Sequence, residues 1–307
     1  MPSSDQQSVA AIIAAYKPDA SLVEAAKNLR TQAGHVIVVD DGSPSGSQDV
    51  FSELVNAGMT VIHQPENAGI AAALNAGVEF AKTNFHPDFY LTLDQDSQPN
   101  PEYVSNALGT IRRANDAGMD VGFVSASAYS GHPIPIMGSL NGFNIAFDPM
   151  QSGFMIPKQT FDRVGTFDAG LFIDGVDTEF TMRTRTAGLA VLVGEGCDIE
   201  HDLGRREPGK VFGRPIMILG REISYNYHSP SRVYYICRNG TLITRRYGLK
   251  APSWALRRLV EEAKAHLLRF AFSPGRGKLL RAAAAGFSDA LRGRTGRIPP
   301  ALERKLR

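Results

Sequence analysis

The first 125 residues alternate between two kinds of pattern. Short, continuous apolar runs read as buried strands: VAAIIAAY (9–16), HVIVVDDGS (35–43), MTVIHQ (59–64), FYLTLDQDS (89–97) and VGFVSAS (121–127). Between them lie longer segments with apolar residues every three or four positions: DASLVEAAKNLRTQAG, SQDVFSELVNAG, GIAAALNAGVEFAKTN and PEYVSNALGTIRRANDAG. These predict helices, and three of them stop at a glycine. Strand, helix, strand with short connections predicts an α/β fold, a mostly parallel sheet covered by helices on both faces.

From Gly138 to about Val193 the pattern mixes short strands (FNIAF, GFMI) with a helix around VDTEFTMRTRTAG. After His228 it predicts helices alone: SRVYYICRNGTLITRRYG, PSWALRRLVEEAKAHLLRFAF and GKLLRAAAAGFSDALRG. The expected division is a catalytic domain over 1–227 and a basic helical region over 228–307. The domain splits into halves at about 1–125 and 126–227.

Charge adds an asymmetry to this outline. From Leu242 onward the chain holds 16 Lys/Arg against 4 Asp/Glu, while the preceding part holds 17 against 27. A basic tail on an acidic body suggests an anionic partner for the tail. No nucleic-acid recognition motif accompanies it, so no nucleic-acid partner is expected. An anionic membrane surface and packing against the body or a second copy both stay open, the latter as a homo-oligomer. MPSSDQQSVA lacks the features of a secretion signal, and no apolar run reaches about 20 residues. The expected location is cytoplasmic or peripheral on a membrane. Cys197 and Cys237 have no metal-site or redox spacing and are expected to be buried thiols.

Ligands of open α/β sheets bind outside the carboxyl ends of the strands. Those ends carry Tyr16 and Lys17, Asp40 and Asp41, and Asp94 and Asp96. Two carboxylates in one small site repel unless a cation or proton sits between them, although an Asp-x-Asp can also be a solvated turn. There is no GxGxxG after the first strand and no GxxxxGK[ST], which removes dinucleotide dehydrogenases and P-loop enzymes. A nucleotidyltransferase would want a Gly-rich basic loop where AAYKPDAS stands.

Four pieces, YKPD, VVDDGS, ENAGIAAALNAG and LDQDSQP, together resemble the family 2 glycosyltransferases of the GT-A fold. That resemblance implies a Rossmann-like catalytic domain, here with a C-terminal helical extension. It makes Asp96, with Asp94, the holder of Mg²⁺ or Mn²⁺ against the diphosphate of a nucleotide sugar, joined by His201 in IEHDLGRR. Tyr16, Lys17, Asp40, Asp41, Asn67, Gly69, Asn75, Asp94, Gln95, Arg205 and Arg206 become nucleotide-sugar contacts.

LFIDGVDTEFTMRTRTAG (171–188) resembles the segment that carries the family's catalytic base, an Asp six residues before an Arg. This spacing selects Asp177 with Arg183, and Glu179 beside them. The acid that relatives carry just before this Asp is Val176, and Asp174 is the alternative base. SGFMI, FIDGVDTEF, EHDLG and HSPSRVYYICRN resemble the bacterial rhamnosyltransferases. They imply inverting transfer from dTDP-L-rhamnose to a hydroxyl of a glycan or polyprenyl-diphosphate-linked acceptor, with Arg232, Tyr234 and Arg238 toward the acceptor, or with Tyr234 and Tyr235 in the core instead. A different donor such as a UDP-hexose would keep the mechanism. A catalytically inactive nucleotide-sugar-binding protein is the non-enzymatic alternative. His35, His63, His86, His132 and His266 are expected to be structural.

Overall fold

The structure is a computed structural model that describes residues 8–201, 206–211, 214–215, 217–218 and 221–306. The chain divides into two compact units. One comprises residues 1–172 and 176–202, the other residues 173–175 and 203–307.

The first unit is built on a nine-stranded sheet. In chain order its strands are β1 (Val9–Ala15), β2 (His35–Asp40), β3 (Thr60–His63), β4 (Phe89–Asp94), β6 (Val121–Ser125), β9 (Ile136–Leu140), β10 (Phe143–Ala146), β11 (Phe154–Pro157) and β12 (Ala190–Val193). The spatial order is β3-β2-β1-β4-β11-β6-β12-β10-β9. Only β11 and β10 run against the rest, so the mostly parallel sheet expected from the sequence is present. A second, four-stranded sheet joins β5 (Ser97–Pro99), β13 (Asp198–His201), β7 (Ala128–Tyr129) and β8 (His132–Pro133). No sequence pattern announced it, because its strands are two to four residues long and too short for a period.

β1 is buried along its whole length, as a central strand covered on both faces must be. The helices α1 (Ser21–Arg30), α2 (Gln48–Asn56), α3 (Ile70–Asn84) and α4 (Tyr103–Asp116) lie where the 3.6-residue period put them. Helix α4, for example, buries Tyr103, Val104, Ala107, Leu108, Ile111 and Ala114. Two further helices complete the unit: α5 (Lys158–Val164) and α6 (Val176–Thr186). Phe180 of α6 stands in a cluster of aromatic rings with Phe123, Phe154, Phe161 and Phe167.

The second unit contains α7 (Pro230–Tyr247), α8 (Pro252–Phe272), α9 (Arg276–Leu291) and α10 (Pro300–Leu306). Ser229 caps α7 by accepting from Arg232 N at 3.3 Å, and Pro230 takes the first turn, where its missing N–H costs nothing. Short antiparallel pairs precede these helices, one of them Arg206–Pro208 with Ser224–Asn226. The residues 173–175 are tied in by Asn239, whose amide donates to Ile173 O at 2.8 Å and Asp174 O at 2.7 Å. No helix among the described residues is long and apolar enough to cross a membrane.

Candidate active site

Register brings the strand ends together. Ala14 pairs with Asp94 and Ala15 with Asp40, so the carboxyl ends of β2, β1 and β4 line one edge. Side chains then stitch the loops beyond that edge. Tyr16 N donates to Gln95 Oε1 at 2.7 Å, and Lys17 N donates to Ser43 Oγ at 2.8 Å. The Lys17 ammonium lies 5.1 Å from the centroid of the Tyr16 ring.

The two acidic pairs behave differently. Asp40 and Asp41 are buried. Asp40 accepts from Ser43 N at 2.8 Å and meets His63 Nδ1 at 2.9 Å. Asp41 accepts from Ala68 N and Gly69 N at 2.8 and 3.0 Å. These carboxylates shape the loops at 42–43 and 67–69. Gly69 has φ 94°, and a Cβ there would run into the Phe172 carbonyl, so glycine is required where α3 begins. Asn75 reaches the other way, donating to Phe167 O at 2.8 Å and accepting from Phe167 N at 2.9 Å. Asn67 is half-buried in the same loop.

Asp94 and Asp96 turn outward and meet His201. Strand β13 pairs with β5 so that His201 sits opposite Ser97, next to Asp96. His201 Nδ1 is 2.8 Å from Ser97 Oγ and 3.4 Å from Asp96 Oδ1. One ligand atom from each of Asp94, Asp96 and His201 lies within 4.8 Å of the other two. Two hard carboxylates and an imidazole suit Mg²⁺ or Mn²⁺, and such ions draw further ligands from substrate phosphates. The donor set fits the metal expected there.

Sequence reasoning missed the residues that hold this cluster. Gln151 Nε2 donates to Asp94 Oδ1. Asp94 N donates to Ser152 Oγ at 3.1 Å, and the Ser152 hydroxyl donates to Ser97 Oγ at 2.6 Å. Tyr129 is buried, donates to Ser152 O at 2.7 Å, and its ring meets the His201 ring edge-on. Burial, with the charges of Asp94 and Asp177, pushes the Tyr129 phenol well above its usual range. The available signal was the polar pair Gln151-Ser152 set directly before a buried strand.

Asp177 lies in the first turn of α6 and is half-buried, with Thr178 N donating to its Oδ1 at 2.8 Å. Glu179 is buried and pairs with Arg183 at 2.8 Å. The same guanidinium donates to Val164 O at 2.5 Å and Thr166 O at 2.8 Å. Glu179 and Arg183 therefore brace α6 against the loop after α5. Val176, where relatives carry an acid, is buried. Asp174, the alternative base, belongs to the second unit, where Arg232 Nε donates to it at 3.0 Å. Burial raises its pKa, partly offset by Arg232.

The expected acceptor contacts lie in the second unit. Tyr234 and Arg238 are fully buried inside the helical unit. Tyr234 donates to Asp289 Oδ2 at 2.8 Å, and Arg238 donates to Asn239 Oδ1 and Gly296 O at 2.8 and 2.5 Å. Both are core residues of that unit, satisfied within it, and Arg232 is engaged by Asp174. Arg205 lies outside the described residues, as does the side chain of Arg206. Cys197 and Cys237 are buried free thiols, each pushed up to about 12 by burial.

The chain has known relatives in sequence and in fold. The dTDP-rhamnosyl transferase RfbF of Shigella flexneri is 26% identical over 250 residues, covering 77% of this chain and 79% of that protein. The fold is similar to the mannosyltransferase PcManGT of Pyrobaculum calidifontis in complex with GDP-Man and Mn²⁺. That match has a TM-score of 0.56 and 17% identity, over 97% of this chain and 78% of that one. It is also similar to S. aureus TarS 1–349 in complex with UDP-GlcNAc, with a TM-score of 0.50 and 16% identity over 93% and 92%. Against a longer TarS chain the match spans only 39% of that chain's length. The family described as Glycosyl transferase family 2 matches residues 10–170, more than half of the sequence, and the chain belongs to that family.

Proposed function

We propose that the chain is an inverting, metal-dependent rhamnosyltransferase. It would move L-rhamnose from dTDP-L-rhamnose to a hydroxyl of a cell-surface glycan or a polyprenyl-diphosphate-linked saccharide. The observation that carries the site is the convergence of Asp94, Asp96 and His201 beside the loops of Tyr16, Lys17 and Gln95. The choice of sugar is supported by the likeness to RfbF.

In this reading Asp94, Asp96 and His201 would hold Mg²⁺ or Mn²⁺, which when bound would supply neutralisation of the charge on the departing diphosphate. Tyr16 and Lys17 flank the base and ribose over a floor shaped by Asp40, Asp41, Asn67, Gly69 and Asn75. The resemblance assigns Arg205 and Arg206 to the diphosphate. Asp177 takes the proton from the acceptor hydroxyl as the new bond forms. An ordinary carboxylate suffices, because that hydroxyl becomes acidic late in the reaction. Glu179 and Arg183 act through Asp177 by fixing its helix.

A thermal-shift series tests the donor. The protein is heated with Mn²⁺ and, in turn, dTDP, UDP, GDP and dTDP-L-rhamnose. A ligand that binds only the folded state raises the melting temperature. The proposal expects the largest rise with dTDP and its rhamnose conjugate, abolished by EDTA. A larger rise with UDP would replace rhamnose and keep the mechanism. No rise with any nucleotide would overturn the reading.

A further inference from the structure

Helix α8 is inside out. A surface helix ordinarily turns its apolar stripe toward the core and its charges toward water. The buried side of α8 instead carries Trp254, Arg258, Glu262, His266 and Arg269. Trp254 and Arg269 are buried, and the Arg258 guanidinium lies over the Trp254 ring at 5.7 Å. Glu262 pairs with Arg258 at 3.4 Å and with His266 at 3.7 Å, and Arg269 bonds to His266 at 3.0 Å. The opposite side presents Leu256, Leu259, Val260, Ala263 and Leu267 at three- and four-residue intervals. Leu256, Leu259 and Leu267 are 66%, 62% and 71% exposed.

Helix α9 buries a mainly apolar side, with Leu279, Ala282, Ala283 and Ala290, yet also exposes apolar residues. It packs Gly286 tightly against α7 and leaves Leu280, Phe287 and Leu291 exposed. Scattered exposed leucines need no explanation, but a stripe along one face of a 21-residue helix marks an interaction surface.

Charge selects the partner. Beside the stripe the exposed Glu261 is paired with Arg257 at 3.1 Å, and from Ala263 to Ser288 there is no acidic residue, while the exposed Lys264, Arg276, Lys278 and Arg281 are basic. A second copy placed symmetrically on this face would set like charge against like. A bilayer with anionic headgroups offers hydrocarbon for the leucines and negative charge for the flanks. We propose that the outer face of α8, extended by that of α9, docks the protein on an anionic lipid surface without crossing it. Trp254 is in the core and Phe270 stacks on His266, so the leucine stripe makes the contact.

The test is vesicle co-sedimentation of the full chain, without any nucleotide, so that it stands apart from sugar transfer. Vesicles of phosphatidylcholine with phosphatidylglycerol are compared with phosphatidylcholine alone, at low and high salt. The expected result is binding to the anionic vesicles at low salt, weakened on the order of tenfold or more without the anionic lipid. Leu259→Glu with Leu267→Glu should lower that binding on the order of tenfold or more, with unchanged melting temperature and elution volume. Lys264→Glu, which leaves the stripe intact, should cost about fivefold on anionic vesicles alone. Failure of the wild type to bind anionic vesicles, or equal binding to both kinds, would overturn the proposal. So would a wild-type dimer that the double variant converts to monomer while vesicles are ignored. That outcome would make the face a contact between copies.

Discussion

Two acidic pairs end neighbouring strands and look alike in the sequence, yet the fold uses them in opposite ways. Asp40 and Asp41 are withdrawn from water and spent on backbone N–H groups and His63. Asp94 and Asp96 face outward beside an imidazole: the Asp96 side chain is 47% exposed, that of Asp40 only 8%. A carboxylate surrounded by donors builds a loop. Two carboxylates and a histidine whose ligand atoms lie within 4.8 Å of one another form a donor set that suits a cation. The teaching point is that an acid's partners, and not its position at a strand end, decide its work.

Substitutions can break this contrast, the largest effects lying in transfer. Asp96→Asn should slow sugar transfer at least about a hundredfold, because the ion's stabilisation of the leaving group is worth several kcal/mol. Asp177→Asn should slow it by roughly 10²–10⁴ while leaving the thermal shift with donor intact. Both are checked by radiolabelled or coupled transfer assays. A catalytically inactive binding protein predicts no change in either.

Stability should respond to the other pair. Asp41→Ala strands two N–H groups, Ala68 and Gly69, and should cost roughly 2–4 kcal/mol in denaturant unfolding. Glu179→Ala should cost a similar amount, about 3 kcal/mol, by leaving Arg183 without its buried partner. Asp96→Asn, by contrast, should move stability by no more than about 0.5 kcal/mol. If Asp41→Ala were harmless and Asp96→Asn severe for folding, the assignment of roles would be reversed.

A smaller effect belongs to the helical unit. Burial, with the nearby charges of Arg269, Arg232 and His266, pushes His228 from an ordinary 6.5 down to about 4. Between those values the unfolded chain binds a proton that the folded chain refuses, so stability falls as the pH drops through this window. Above 6.5 the contribution is complete and flat. The loss should be roughly 1–2 kcal/mol, allowing for partial exposure, and His228→Gln should flatten it in urea titrations at stepped pH.

Much of this was legible in the chain because periodicity reports on long elements. The strands at 9–15, 35–40 and 89–94 and the helices between them followed from apolar runs and 3.6-residue spacing. The pairing of β13 with β5 did not, since a three-residue strand has no period and His201 lies 104 residues from Ser97. Resemblance named His201, but only the register explains why it reaches Asp96. The surroundings of Tyr234 and Arg238 were not legible for a related reason. A tyrosine and an arginine in a helix look the same in sequence whether they face a ligand or a buried Asp289 and Gly296 carbonyl. Helix α8 shows a further limit, because amphipathicity shows that a helix has two faces and not which one points inward.

The most direct measurement is Mn²⁺ binding by electron paramagnetic resonance, in the presence of dTDP, for the wild type, Asp96→Asn and His201→Ala. The account predicts a bound Mn²⁺ signal in the wild type that weakens at least about tenfold in each variant, with folding intact. Undiminished Mn²⁺ binding by both variants would contradict it and place the cation, and with it the reacting diphosphate, elsewhere.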